Sequence, residues 1–180
     1  MPPKKAEVRP QPAPIKKEPI PEKSYLLAIR LKGNFGTPWP IQKALETLRL
    51  RRKFNAVLLE NTRPTIGMLR TVKDFVTWGE AKKTDIAALL QARGELSGGA
   101  AMTDQTVREK FGESSVQDLA SALTQGRISL RTLWQKGLSP VFRLHPPSGG
   151  FERSTKRAYG SEGELGRREA GLSSLLTRMV

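Results

Sequence analysis

The side chains best equipped for chemistry in this sequence are its arginines and lysines and a single histidine. Between Tyr25 and Asn55 stand Arg30, Lys32, Lys43, Arg49, Arg51, Arg52 and Lys53 against one acid, Glu46, a net of +6 in 31 residues. A guanidinium fork matches two phosphate oxygens at once, so an arginine-weighted cluster favours phosphate over a generic anion. The same stretch holds Phe35 and Trp39, flat rings of the kind that stack on bases. Each feature has a plainer use: cations at the end of a helix suit its dipole, and loop aromatics pack against cores. Their convergence in one short stretch points instead to a nucleic-acid backbone as ligand.

The histidine offers less. His145 lies in VFRLHPPSGGF, residues 141 to 151. Pro146 pushes it into an extended conformation, and no carboxylate stands near it in sequence to orient the ring for acid–base work. The sequence has no GxSxG elbow, P-loop, HExxH or strand-borne GxGxxG. The GNFG string at Gly33 follows a strand, whereas the backbone clamp of KH domains joins two helices. No catalytic residue, metal ligand set or cofactor is expected. The segment reads better as a strap: Val141, Phe142 and Leu144 anchor it, while Arg143 and His145 point outward. Pro146 and Pro147 stiffen its exit, and Gly149 and Gly150 let the backbone turn close to a ligand.

The whole chain fits that reading. In 180 residues there are 31 lysines and arginines against 17 acids, a net charge of +14, and the pI is about 10.5. Such a balance repels itself unless an anionic polymer or surface neutralises it. The absence of cysteine excludes disulfides, thiol nucleophiles and Cys-ligated zinc. The first residues lack the apolar core of a secretory signal, and no apolar run is long enough to span a membrane, so an intracellular, soluble protein is expected.

The elements that must position these residues follow from periodicity. Residues 1–24 carry seven of the thirteen prolines and read as a disordered tail. YLLAIRLKG alternates as a strand, and IQKALETLRLRRK repeats Ile41, Ala44, Leu45 and Leu48 at helical spacing. FNAVLLEN is a second strand, and TIGMLRTVKDF a second helix opened by Thr65 as cap. DFVTWG is a third strand. Residues 25–80 thus form a βαβαβ core of the α+β class: a small three-stranded antiparallel sheet with two helices on one face, in a ferredoxin-like arrangement. Residues 81–138 are short helices read as an appendage. Residues 139–180 are read as the strap and a basic extension carrying Arg153, Lys156, Arg157, Arg167 and Arg168, with both ends ordering only on the nucleic acid.

LLAIRLKGNFGTPWPIQKALETLRLRRKFNAVLLEN, TIGMLRTVKDFVTWGE, MTDQTVREKFG and above all PVFRLHPPSGGF resemble the archaeal form of large-ribosomal-subunit protein L-thirty, whose eukaryotic relative is called L-seven. The resemblance runs from Tyr25 to Phe151, and the C-terminal stretch is similar in layout to that of the eukaryotic relatives. It implies a non-catalytic, cytoplasmic, ribosome-bound role binding large-subunit rRNA near 5S RNA, with neighbouring ribosomal proteins as further partners. It also implies that Arg30, Lys32, Arg49, Arg51, Arg52, Lys53, Arg143, His145 and the glycine turn face RNA. The competing reading is a non-ribosomal RNA- or DNA-binding basic protein; the lack of a recognition helix counts against its DNA-binding form.

Overall fold

The computed structural model describes residues 24–168 and 170–180. Apart from Ser24, the expected N-terminal tail lies outside the described residues. From there β1 (Tyr25–Arg30), α1 (Trp39–Thr47), β2 (Asn55–Glu60), α2 (Arg63–Thr71) and β3 (Val76–Glu80) follow in the expected alternation. β1 is central and antiparallel to both neighbours, with Leu27 opposite Leu58 of β2 and Ala28 opposite Trp78 of β3. The stripe of α1 packs Leu45 and Leu48 against Leu26, Ala28, Val57 and Val76, with Leu69 and Val72 closing the layer around α2. α2 starts before the expected cap. The hydroxyl of Thr62 accepts the Thr65 N–H at 3.4 Å, and Pro64 sits in the first turn, where its missing N–H costs nothing.

The sheet is wider than the sequence implies. It has six strands in the order β4-β2-β1-β3-β6-β5, not three. β4 (Phe142–Arg143) joins β2 at one edge, while β6 (Gly163–Arg167) and β5 (Ser154–Ala158) extend the other beyond β3.

The short helices α3 (Lys83–Arg93), α4 (Asp104–Phe111), α5 (Val116–Thr124) and α6 (Leu130–Gln135) are no appendage either. Every residue of β1 is buried, because YLLAIRL is apolar on both faces and both must be covered. Tyr25, Leu27, Ile29 and Leu31 meet Leu89, Leu90, Leu119 and Leu133 on the face opposite α1 and α2. Each such leucine stabilises the fold by about 1.5–3 kcal/mol when removed from water, so an uncovered second face would be untenable.

The C-terminal stretch completes that layer instead of extending away. α7 (Leu172–Met179) buries Leu172, Leu175, Leu176 and Met179 in the same core. The strap and this helix satisfy one another: the His145 N–H donates to the Met179 carbonyl at 3.1 Å and the Ser148 N–H to the Arg178 carbonyl at 2.8 Å. These carbonyls in the last turn have no helical donor of their own. Gly79 in β3 admits the close approach of this segment, since a Cβ there would lie 2.6 Å from the Arg168 carbonyl oxygen. The expectation that this end gains order only on RNA is therefore replaced by order from protein contacts. No helix among the described residues is long and apolar enough to cross a membrane.

Candidate nucleic-acid interface

The basic cluster after α1 is shaped by the way that helix ends. The Leu50 N–H donates to the Leu45 carbonyl at 2.8 Å and the Arg49 N–H to the Glu46 carbonyl at 2.9 Å, while Leu45 and Leu50 are buried together. This is a Schellman ending, and its left-handed residue is Arg49, at φ +61°, where glycine is usual. The turn then carries Arg51, Arg52 and Lys53 into β2. Pairing of β4 with β2 sets Arg143 opposite Asn55, which brings the strap's arginine to the same edge. Arg49, Arg51, Arg52 and Arg143 line one open groove with Asn55 and Ser139.

None of these four arginines forms an ion pair among the described residues, and all four are exposed. The groove's one acid, Glu46, is taken by Lys43 at 3.7 Å. Four unpaired guanidinium forks in a concave surface can receive successive phosphates of a nucleic-acid backbone. Arg49 is also held from behind, its guanidinium 5.0 Å from the ring centroid of Trp134 on α6. Trp134 could not be found from sequence, because only the tertiary packing of α6 brings it to Arg49.

Arg30 is a correction. It is 1 % exposed and cannot face RNA. Its Nε donates to the Lys32 carbonyl at 2.7 Å, its Nη1 to the Leu50 and Arg51 carbonyls at 2.8 and 2.9 Å, and its Nη2 to Asn34 Oδ1. Burial pulls its pKa below the ordinary arginine value. The residue instead fixes the backbone of the turn that presents the groove arginines. Arg168 is corrected likewise: buried, ion-paired with Glu164, its Nε donating to Thr77 Oγ1 at 2.8 Å. It locks the C-terminal segment to β3, and burial lowers its pKa too.

The remaining expected residues are spread over the molecule. Phe35 and Trp39 are 105 % and 73 % exposed, rings open to stacking. Trp39 opens α1 and Phe35 lies in the loop before it, and the helix carries Trp39 about 12 Å from the groove residue Thr47 at 1.5 Å per residue, so rings and arginines do not form one patch. Lys32 is half-buried, with its ammonium 5.8 Å from the Phe75 ring centroid, and Lys53 lies 4.6 Å from that of Phe54. On the strap, His145 is half-buried with Nδ1 2.6 Å from the Pro146 carbonyl. Gly149 and Gly150 turn at φ +76° and +79° with open space around them. Arg153, Lys156, Arg157 and Arg167 are exposed on the far side, around β5 and β6. No group of three acidic or histidine side chains suited to a metal ion occurs among the described residues.

A left-handed non-glycine residue costs roughly 1–2 kcal/mol, so R49G should be more stable than R49A by about 1 kcal/mol, read from urea midpoints. Both should lose RNA affinity equally, because neither keeps the guanidinium. Equal stability of the two variants would contradict the strained ending.

A family model described as Ribosomal protein L30p/L7e matches residues 26–76. A large ribosomal subunit protein uL30 from Hyperthermus butylicus is 42% identical over 159 residues, covering 84% of this chain and 88% of its own length. The protein of the same name from Ignicoccus hospitalis is 40% identical over 159 residues, with coverages of 88% and 99%. That from Korarchaeum cryptofilum is 40% identical over 162 residues, with 89% and 98%. A similarity this high that runs through the βαβαβ core, the helical layer and the strap leaves one assignment: the chain belongs to the ribosomal protein L30p/L7e family.

Proposed function

We propose that this protein is a non-catalytic constituent of the large ribosomal subunit that binds large-subunit rRNA through the arginine groove. The observation that carries the site is the meeting of Arg49, Arg51, Arg52 and Arg143 in one groove without a carboxylate partner. Phosphates take the place of the missing acids, and release of condensed counterions supplies much of the affinity. Phe35 and Trp39, at the opposite end of α1, stack on unpaired bases. The glycine turn at Gly149 and Gly150 lets backbone approach backbone. His145 and Lys53 border the contact, and the exposed cations of β5 and β6 offer further phosphate contacts on the far side of the protein. Arg30 acts behind the surface, setting the turn. The family resemblance supports a seat close to 5S RNA, among neighbouring ribosomal proteins.

Sucrose-gradient sedimentation of cell extract tests the ribosomal reading. Tagged protein should travel with the large subunit at low salt and leave it only at high salt. Protein remaining at the top of the gradient under low salt would contradict the reading, and preference for duplex DNA in competition would favour the non-ribosomal alternative.

A further inference from the structure

The two-helix layer of α1 and α2 is narrower than the six-stranded sheet it covers. Where β6 extends the sheet past β3, the layer stops, and a cleft of about 310 Å³ opens between α2 and β6. Ile66, Ala158 and Tyr159 give it an apolar surface over the nearly covered Trp78 and Leu165, and Arg70, Lys73 and Arg167 stand around it. A neighbouring recess of about 200 Å³ shares Ile66, Trp78 and Arg167. Arg167 shares a face with Trp78 because the two are register partners.

Arg70 and Lys73 alone would be unremarkable, since cations at the end of α2 suit its dipole. Arg167, however, comes from a distant strand and faces the same space. The three cations are exposed, and none forms an ion pair among the described residues, although Asp74 lines the cleft with them. A net positive rim above an apolar surface calls for a ligand with an apolar plane and an attached anion. Gly160 and Gly166 add no side chain to the wall, and the Tyr159 ring beside them suits a nucleobase.

Resting on the ribosomal reading above, we infer that this cleft takes an unpaired nucleotide of large-subunit rRNA, the base on the apolar surface and its phosphates on Arg70, Lys73 and Arg167. The arginine groove lies at the β4 edge, four strand spacings from β6, or about 19 Å across the sheet. The protein therefore clamps two separate rRNA segments.

Hydroxyl-radical footprinting of purified large-subunit rRNA tests this with two charge reversals at exposed positions, R70E/R167E and R51E/R52E. Wild type should protect two segments. Each variant should lose one, a different one in each case, and each should bind at least tenfold more weakly. R70E/R167E protecting the same segments as wild type would overturn the second site and leave the ribosomal reading standing. So would loss of one common segment in both variants. A photo-crosslinker at Lys73 in reassembled subunits should capture rRNA; capture of a protein would overturn the nucleotide assignment. Protection of no segment by wild type would overturn both readings together.

Discussion

The triple variant R51A/R52A/R143A should bind large-subunit rRNA about a hundredfold more weakly than wild type near physiological salt. The estimate follows from counterion release: each phosphate contact contributes about 0.7–0.9 to the slope of log affinity against log salt. Three lost contacts reduce the slope by about 2–3, which near 0.15 M is roughly two decades of affinity. The three side chains are exposed and make no ion pair among the described residues, so folding stability should change by only about 0.5 kcal/mol. Filter binding across a salt series, beside urea denaturation, reads both quantities. A variant that lost affinity without a change of slope would place its arginines outside the phosphate contact.

The largest stability effect should come from a residue that touches no RNA. R30L should destabilise the protein by about 3 kcal/mol, because the carbonyls of Lys32, Leu50 and Arg51 and the Asn34 side chain all lose a charged donor. R30K should recover little of this, since a single ammonium cannot reproduce a planar fork reaching two backbone segments. RNA affinity should also fall in R30K wherever it remains folded, because the turn presenting Arg49, Arg51 and Arg52 loses its tie to β1. Full stability in R30K would show that the fork geometry is dispensable.

The central βαβαβ unit was legible because its signals are local. Alternation in YLLAIRL and the stripe of Ile41, Ala44, Leu45 and Leu48 need no knowledge of distant residues. The outer strands carry no such signal. β4 is two residues long, while STKRA and GELGR are polar or glycine-rich and become strands only through the edges they join. LSSLLTRMV is visibly apolar, yet its destination, the second face of β1, depends on that face needing cover. The same division runs through the site. Arg49, Arg51 and Arg52 are conspicuous by spacing, and Arg143 joins them through β4. Arg30 was misread because a cation near a strand end normally reaches water, whereas its acceptors at Leu50 and Arg51 lie twenty residues on. Arg168 was misread for the same reason, its partner Thr77 belonging to another strand.

The chain contains no cysteine, so a single one can carry a tethered hydroxyl-radical source without competing sites. Thr47 lines the groove, and Glu109 is exposed on α4. In large subunits reassembled with T47C, cleavage should fall in one discrete segment of large-subunit rRNA, and E109C should leave that segment intact. No rRNA cleavage from T47C, or the same cleavage from both positions, would contradict the arginine groove as the RNA-binding surface.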